Sequence, residues 1–153
     1  MTRPKLQGVG VPVPLPDELI DLLGRPSPCF VATIMPDGSP QLTQTWVSTD
    51  GEHILINTPD HSQKARNVAR DPHVAVNIVD PENTRRYFAV RGRVIATTTE
   101  GGAQSIEEVS GKYLGRPYIA TLEVNVLNCR RSDGWCHACW LTSWASRWRN
   151  AGS

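Results

Sequence analysis

Between Cys29 and Thr58 the chain alternates β-forming runs with turn signals and leaves almost no connecting chain. Cys29 to Met35 carries Phe30, Val31, Thr33 and Ile34; Pro36-Asp37-Gly38-Ser39 follows; Gln41 to Ser48 alternates polar and apolar residues; Thr49-Asp50-Gly51 follows that; His53 to Thr58 contains Ile54-Leu55-Ile56. Connections this short cannot hold a crossover helix, so the strands must pair antiparallel with their sequence neighbours. This sets the expectation of an antiparallel meander.

The remaining patterns extend that meander. Asp17 to Leu23 reads as a short amphipathic helix with Leu19, Ile20, Leu22 and Leu23 on one side and Gly24 at its end. His73 to Val79 places Val74, Val76 and Ile78 on one strand face, and Arg86 to Thr97 is a longer strand whose Gly92 predicts a bulge or bend. Ala103 to Leu114 has helical spacing through Ile106, Val109, Tyr113 and Leu114, and Ile119 to Leu127 alternates as a final strand. The expected architecture is mainly β (α+β), a six-stranded antiparallel barrel with short helices at its ends.

A chain of 153 residues with 39% hydrophobic and 20% charged residues is sized for one domain with a real core. Its net charge of +1 gives no support to a nucleic-acid partner. No apolar run is long enough for a helical membrane span. The Pro-rich start lacks the apolar centre of a signal peptide, so the expected location is cytoplasmic. Residues 1–15 read as an extended arm and 16–127 as the folded domain. Residues 128–153 form an atypical tail, because four of the five tryptophans and three of the four cysteines fall there. Cys136 and Cys139 have the spacing of half a zinc knuckle, but Cys129 stands alone and His137 lies between the pair, so no metal site is assigned. Such composition is what a GC-rich gene end read out of frame encodes, and the tail is expected to be poorly packed. His53, His61 and His73 share no ligand spacing.

The segment from His61 to Pro72 carries the strongest functional signal. Ser62 is a good N-cap. Lys64 then occupies the first helical turn, where the helix dipole disfavours a cation and favours an anion. An ordinary surface lysine is the plain alternative; a lysine holding a phosphate is the functional one.

The meander, Pro36-Asp37-Gly38-Ser39-Pro40, Thr45-Trp46, Asn57-Thr58, then Ser62-Gln63-Lys64-Ala65 with Asn67 and Arg70-Asp71-Pro72, resembles the pyridoxamine 5'-phosphate oxidase-like split β-barrel superfamily. Within it the pattern is most similar to the actinobacterial oxidoreductases that use the deazaflavin coenzyme F-420. The resemblance covers about residues 17 to 116.

The resemblance implies a homodimer with cofactor sites at the interface and a small-molecule substrate. It implies that Ser62, Gln63, Lys64 and Asn67 belong to the helix that meets the cofactor phosphate. It implies that Thr43, Gln44, Thr45 and Trp46, with Asn57 and Thr58, line the ring system. In the FMN-binding branch, bases commonly stand at the positions of Thr43, Ser48 and Gln63. A dianionic FMN phosphate wants several charge-assisted donors, whereas the F-420 phosphodiester carries one charge, so Lys64 alone favours F-420 over FMN. The expected reaction is hydride transfer from reduced F-420 to a small unsaturated or conjugated substrate. An FMN-dependent oxidoreductase and a non-catalytic cofactor-binding protein are the alternatives. Tyr87 and Tyr113 are candidate proton donors, with no catalytic residue assigned. Arg85, Arg86, Arg91 and Arg93 form either a solvated face or a contact for the polyglutamate tail of F-420.

Overall fold

The computed structural model describes residues 13–118 and 124–140, and in the last strand the side chains of 126–129. Element order is α1 (Asp17–Gly24), β1 (Cys29–Ile34), β2 (Pro40–Thr45), β3 (Val47–Thr49), β4 (Ile54–Pro59), α2 (Gln63–Arg70), β5 (His73–Val79), β6 (Arg86–Thr98), α3 (Gly102–Leu114) and β7 (Val124–Trp140). The strands form one seven-stranded sheet in the order β2-β1-β5-β6-β7-β4-β3, and every ladder is antiparallel.

The two outermost strands of that sheet, β2 and β3, are consecutive in the chain and separated only by Trp46. The sheet therefore has to curl until its edges meet. A hydrogen bond from the Thr45 hydroxyl to the Asn57 carbonyl (3.4 Å) crosses this seam. Trp46 also accounts for the strand count: the single strand expected over Gln41 to Ser48 is broken there, giving seven strands instead of six.

Turn chemistry sets the register. Gly38 at φ 85° and Gly51 at φ 97° take up left-handed conformations. Asp37 accepts from the Ser39 amide and hydroxyl, and Asp50 accepts from the Glu52 and His53 amides. Inward residues then alternate along β1 as Cys29, Val31 and Thr33 and along β5 as Val74, Val76 and Ile78. The expected irregularity at Gly92 is present as a register shift between Val90 and Gly92, with another between Val94 and Ala96.

Helix α1 lays Leu19, Leu22 and Leu23 into the core, with Asp17 and Glu18 at its N-terminal turn. Leu15, at the end of the expected N-terminal arm, belongs to the same buried cluster. Arg25 pairs with Asp21 and Asp80, and Arg86 pairs with Asp80 and Glu18. Arg86 is thereby placed in a network joining α1 to the β5–β6 loop.

Two differences concern the end of the chain. The last strand, expected over residues 119–127, is described from Val124 and continues through Trp140, paired with β4 and β6; the expectation for 119–123 lies outside the described residues. Residues 128–140, assigned by sequence to the tail, therefore continue a strand, because β6 is long enough to supply backbone partners along it. The side chains of Cys136, His137 and Cys139 lie outside the described residues, as do residues 1–12, 119–123 and 141–153.

Helix α2 fills the split between β1 and β4. Its Asn67 is fully buried. The Asn67 amide donates to the Thr33 hydroxyl (3.0 Å) and Gln41 Oε1 (3.2 Å) and accepts from Gln63 Nε2 (2.9 Å). Helix α3 is pinned at its C-terminal end. Lys112 donates to the carbonyls of Leu23 (2.8 Å) and Val47, and Tyr113 donates to the Ser27 carbonyl (2.6 Å).

Two predictions follow from these anchors. Replacing Asn67 by Ala leaves Thr33 and Gln41 without a buried partner and should cost about 2–3 kcal/mol, read as a lower denaturant midpoint at unchanged slope. Burial holds Lys112 down to about 8 against an ordinary 10.5. Between those pH values the unfolded chain keeps a proton that the folded chain has released, so the Lys112 contribution to stability rises with pH there. Denaturation of wild type and Lys112→Met at pH 7 and pH 10 should show the difference moving in favour of wild type at the higher pH.

Candidate functional site

A cleft of about 540 Å³ opens where the sheet edges meet. Gln44, Thr45 and Trp46 line it from the β2–β3 junction, and Asn57, Thr58 and Pro59 from the end of β4. Pro26 and Pro28 enter from the segment after α1, with Ile106 and Tyr113 from α3 and Tyr118 from beyond it. The cleft thus brings together five of the expected ring-lining residues: Gln44, Thr45, Trp46, Asn57 and Thr58. The sixth, Thr43, faces the barrel interior; its hydroxyl is buried and has no hydrogen-bond partner among the described residues.

The aromatic wall is pre-built. Trp46 stacks on Tyr113 at 5.6 Å between ring centroids and 15° between planes, and Tyr118 meets Trp46 edge-on at 5.9 Å. Tyr113 cannot rotate away, since its hydroxyl donates to Ser27 and accepts from the Val47 amide (3.3 Å). Burial pushes the Tyr113 phenol far above its ordinary value, so it is a fixed wall and not a ready proton donor. Tyr87, the other sequence candidate, sits on β6 opposite Val79 and does not line the cleft.

The α2 end of the site differs from a surface helix terminus. Ser62 caps the helix by accepting from the Ala65 amide (3.1 Å), and its hydroxyl shares a 2.8 Å hydrogen bond with Thr58, a cleft residue. The first-turn amides of Gln63 and Lys64 have no partner within the helix. Gln63 donates to Asn67 in the packing network, and no residue of α2 or its cap, Ser62 and Lys64 included, is itself part of the cleft lining. Arg66 donates to the His61 carbonyl and Gln63 Oε1.

Lys64 is the unusual member. It is only 7% exposed and makes no ion pair or hydrogen bond among the described residues. Burial lowers its proton affinity, and the neighbours that act on its charge are the thiols of Cys29 and Cys129. Burial pushes both thiols up to about 12, so they stay neutral and supply no counter-charge. A buried cation without an anion is costly. An anion arriving at the α2 terminus would relieve that cost.

Sequence reasoning missed Pro26, Pro28, Pro59, Ile106 and Tyr118 as cleft residues. Prolines after a helix read only as a helix stop, and Ile106 only as core. Tyr118 carries no periodic signal, because it follows a left-handed glycine at Gly115 (φ 68°).

A solved structure named an F-420 reductase is 30% identical to the chain, covering 78% of this chain and 97% of its own with a TM-score of 0.68. The conserved hypothetical protein Rv2991 of Mycobacterium tuberculosis is 25% identical over 76% of this chain and 80% of its own, with a TM-score of 0.58. HupZ of Group A Streptococcus, at 18% identity and a TM-score of 0.56, covers 78% of this chain and 96% of its own and shares the fold. Comparison with curated protein sequences gave no match. No described helix is long and apolar enough to cross a membrane. Residues 15–135 match the pyridoxamine 5'-phosphate oxidase family, so the chain belongs to that family and has its flavin-binding oxidoreductase fold.

Proposed function

We propose that the protein is an F-420-dependent reductase of a small conjugated substrate. The observation that carries this reading is the buried, unpaired Lys64 at a capped helix terminus beside an aromatic cleft. The residues fit such a cofactor on two counts. Lys64 and the orphaned Thr43 hydroxyl are polar groups the fold leaves without partners among the described residues. The cleft beside them is planar-walled and large enough for a ring system.

Lys64, the Ser62 hydroxyl and the first-turn amides of α2 would hold the phosphate, and Gln44, Thr45 and Trp46 would flank the rings. The bound deazaflavin supplies hydride chemistry; the protein supplies orientation and exclusion of water. The similarity to a structure named an F-420 reductase supports this choice of cofactor. So does the charge count: Arg66 is engaged by its own helix, so Lys64 is the one cation in the first turn of α2 that remains for a phosphate to pair with, which suits a phosphodiester better than a dianion.

A homodimer belongs to the same proposal. The outward face of β2, β1 and β5 carries Leu42 (68% exposed), Ala32 and Ala75 in one register row and Gln44, Phe30 and Asn77 in the next. Asn77 Oδ1 is buried there without a partner. A second copy is the occupant proposed for this apolar face. Leu42→Arg should convert the species seen by light scattering from dimer to monomer; a monomeric wild type would remove this part of the proposal.

Titration of the purified chain with F-420 and FMN should give tighter binding of F-420. Preference for FMN would favour an FMN-dependent enzyme, and F-420 binding without turnover of any conjugated acceptor would favour a carrier. Lys64→Met should weaken F-420 binding by about 1.5–3 kcal/mol. The same variant should raise the melting temperature of the cofactor-free protein, because it removes an unpaired buried charge. A Lys64→Met protein that melts lower and binds F-420 normally would show the lysine to be structural.

A further inference from the structure

We propose that Lys112 is a covalent capture site for short, uncharged aldehydes, its amine adding to the carbonyl carbon within a small pocket beside α3. Lys112 does not line the cleft, so this site stands apart from the cofactor reading.

The pocket, about 180 Å³, lies between the end of α1, β3 and the C-terminal half of α3. Leu23 and Val109 give it apolar walls, Ser48 and Thr49 a polar side, and Glu108 is the one carboxylate among the described residues that line it. Lys112 is its one amine among those residues. The chain has three lysines, Lys5, Lys64 and Lys112. Lys64 is buried as well, yet it lines neither the cleft nor this pocket. An apolar wall suits a short alkyl chain, and Glu108 disfavours an anion beside it.

The anchor of Lys112 favours a neutral amine. Nζ donates to the carbonyls of Leu23 and Val47, and no carboxylate pairs with it among the described residues. A neutral amine has two N–H groups, so it keeps both of these bonds and gains a lone pair. What the ammonium has in addition is the Tyr113 ring, 4.9 Å from Nζ. Of the titratable groups around it, Glu108 stands one turn earlier on the same helix, and burial keeps Tyr113 and Cys29 neutral. Neither α1 nor β3 contributes a charged residue to the pocket. Burial without a counter-charge pushes the Lys112 amine down to about 8 from an ordinary 10.5. At pH 7.5 roughly a quarter of such amines are neutral, against about 0.1% of ordinary lysines. The nitrogen attacks the aldehyde carbon, a carbon–nitrogen bond forms, and the adduct loses the aldehyde oxygen as water to leave an imine. No electrons are transferred, and the imine nitrogen keeps at most one N–H, so capture releases the carbonyl of Leu23 or of Val47.

The test treats the full chain with butyraldehyde and cyanoborohydride, which reduces the imine to a stable amine, and maps the adducts by peptide mass spectrometry. The N-terminal amine is resolved from the lysines by the same mapping. In the folded chain Lys112 should be trapped about tenfold faster than Lys5 or Lys64. In urea the preference over Lys5 should vanish, because it comes from the folded pocket. Succinic semialdehyde has the same chain length with a terminal carboxylate, and it should react at Lys112 about threefold more slowly than butyraldehyde. A second variant reads the pocket itself. Gly24 lines it, and a Cβ built there meets nothing within 4 Å, so Gly24→Leu fills space without displacing Lys112. That variant should cut trapping at Lys112 about fivefold without lowering the melting temperature, since leucine is the better helix former. Equal trapping of Lys112 and Lys5 in the folded chain, trapping of Lys64 as fast as Lys112, a preference that survives urea, or undiminished trapping in a folded Gly24→Leu would each overturn the proposal. Succinic semialdehyde reacting as fast as butyraldehyde would overturn the uncharged class.

Discussion

The seam at Trp46 is the constraint on which the rest of the structure depends. One residue joins the two outermost strands of a seven-stranded sheet, so the sheet must close on itself. The two edge strands are brought together at the Trp46 end, although no ladder joins them. Closure also fixes the place of everything else. Helix α2 has to fill the gap between β1 and β4, and α3 has to lie across the junction, where Lys112 and Tyr113 tie it to Val47. The cleft is the space left between these elements, and its aromatic wall starts at the junction residue itself.

Closure also explains why the site has two chemically distinct parts. The cleft at the seam is walled by prolines and aromatic rings and carries no charged side chain among the described residues. Of the cations nearby among the described residues, Lys112 is held by backbone carbonyls, and Lys64, buried beside neutral thiols, has no such partner. A ligand that suits both parts has a flat neutral ring system at one end and a single negative charge at the other. That division fits a cofactor whose rings and phosphate are separated by a linker better than it fits a compact anionic substrate.

Much of this was legible in the sequence, and what escaped was of one kind. Strong local chemistry announced the meander: Gly38 and Gly51 with positive φ, Asp37 and Asp50 bonding their own turns, and strict alternation along β1 and β5. The Ser62 cap was readable for the same reason. The break at Trp46 was not, because the alternating pattern runs straight through it and only the closure of the whole sheet forces a bend. The length of β7 escaped because its continuation has no apolar alternation and owes its strand form to backbone pairing with β6. Asn67 and Gln63 were grouped with Lys64 as cofactor contacts because they share one helix. Lys64 and Asn67 share its buried face, and spacing alone does not say which polar residue a helix spends on packing. Tyr118 lies past a glycine cap, where no periodicity operates.

The distribution of satisfied and unsatisfied polar groups bears on where the proposed ligand and second chain would sit. Buried Asn67 and Thr33 bond each other, Ser27 bonds Leu22, and Thr58 bonds Ser62. A fold that satisfies these groups can satisfy buried polar atoms. Yet Lys64 and the Thr43 hydroxyl in the barrel interior, and Asn77 on the outward sheet face, are left without partners among the described residues. Evolution could replace any of them by an apolar residue of similar size and gain stability. Their position gives the physical reason to keep them. Thr43 projects inside the barrel from β2, which frames the cleft; Lys64 is buried on α2, whose cap Ser62 is bonded to the cleft residue Thr58; and Asn77 stands in the register row of Gln44, a residue of both the cleft and the outward face. The proposed cofactor or second chain would complete Lys64, Thr43 and Asn77, whereas Arg25 Nε and His53 Nε2, also buried without a partner among the described residues, lie away from the cleft, so an unsatisfied group points to function only where its position does.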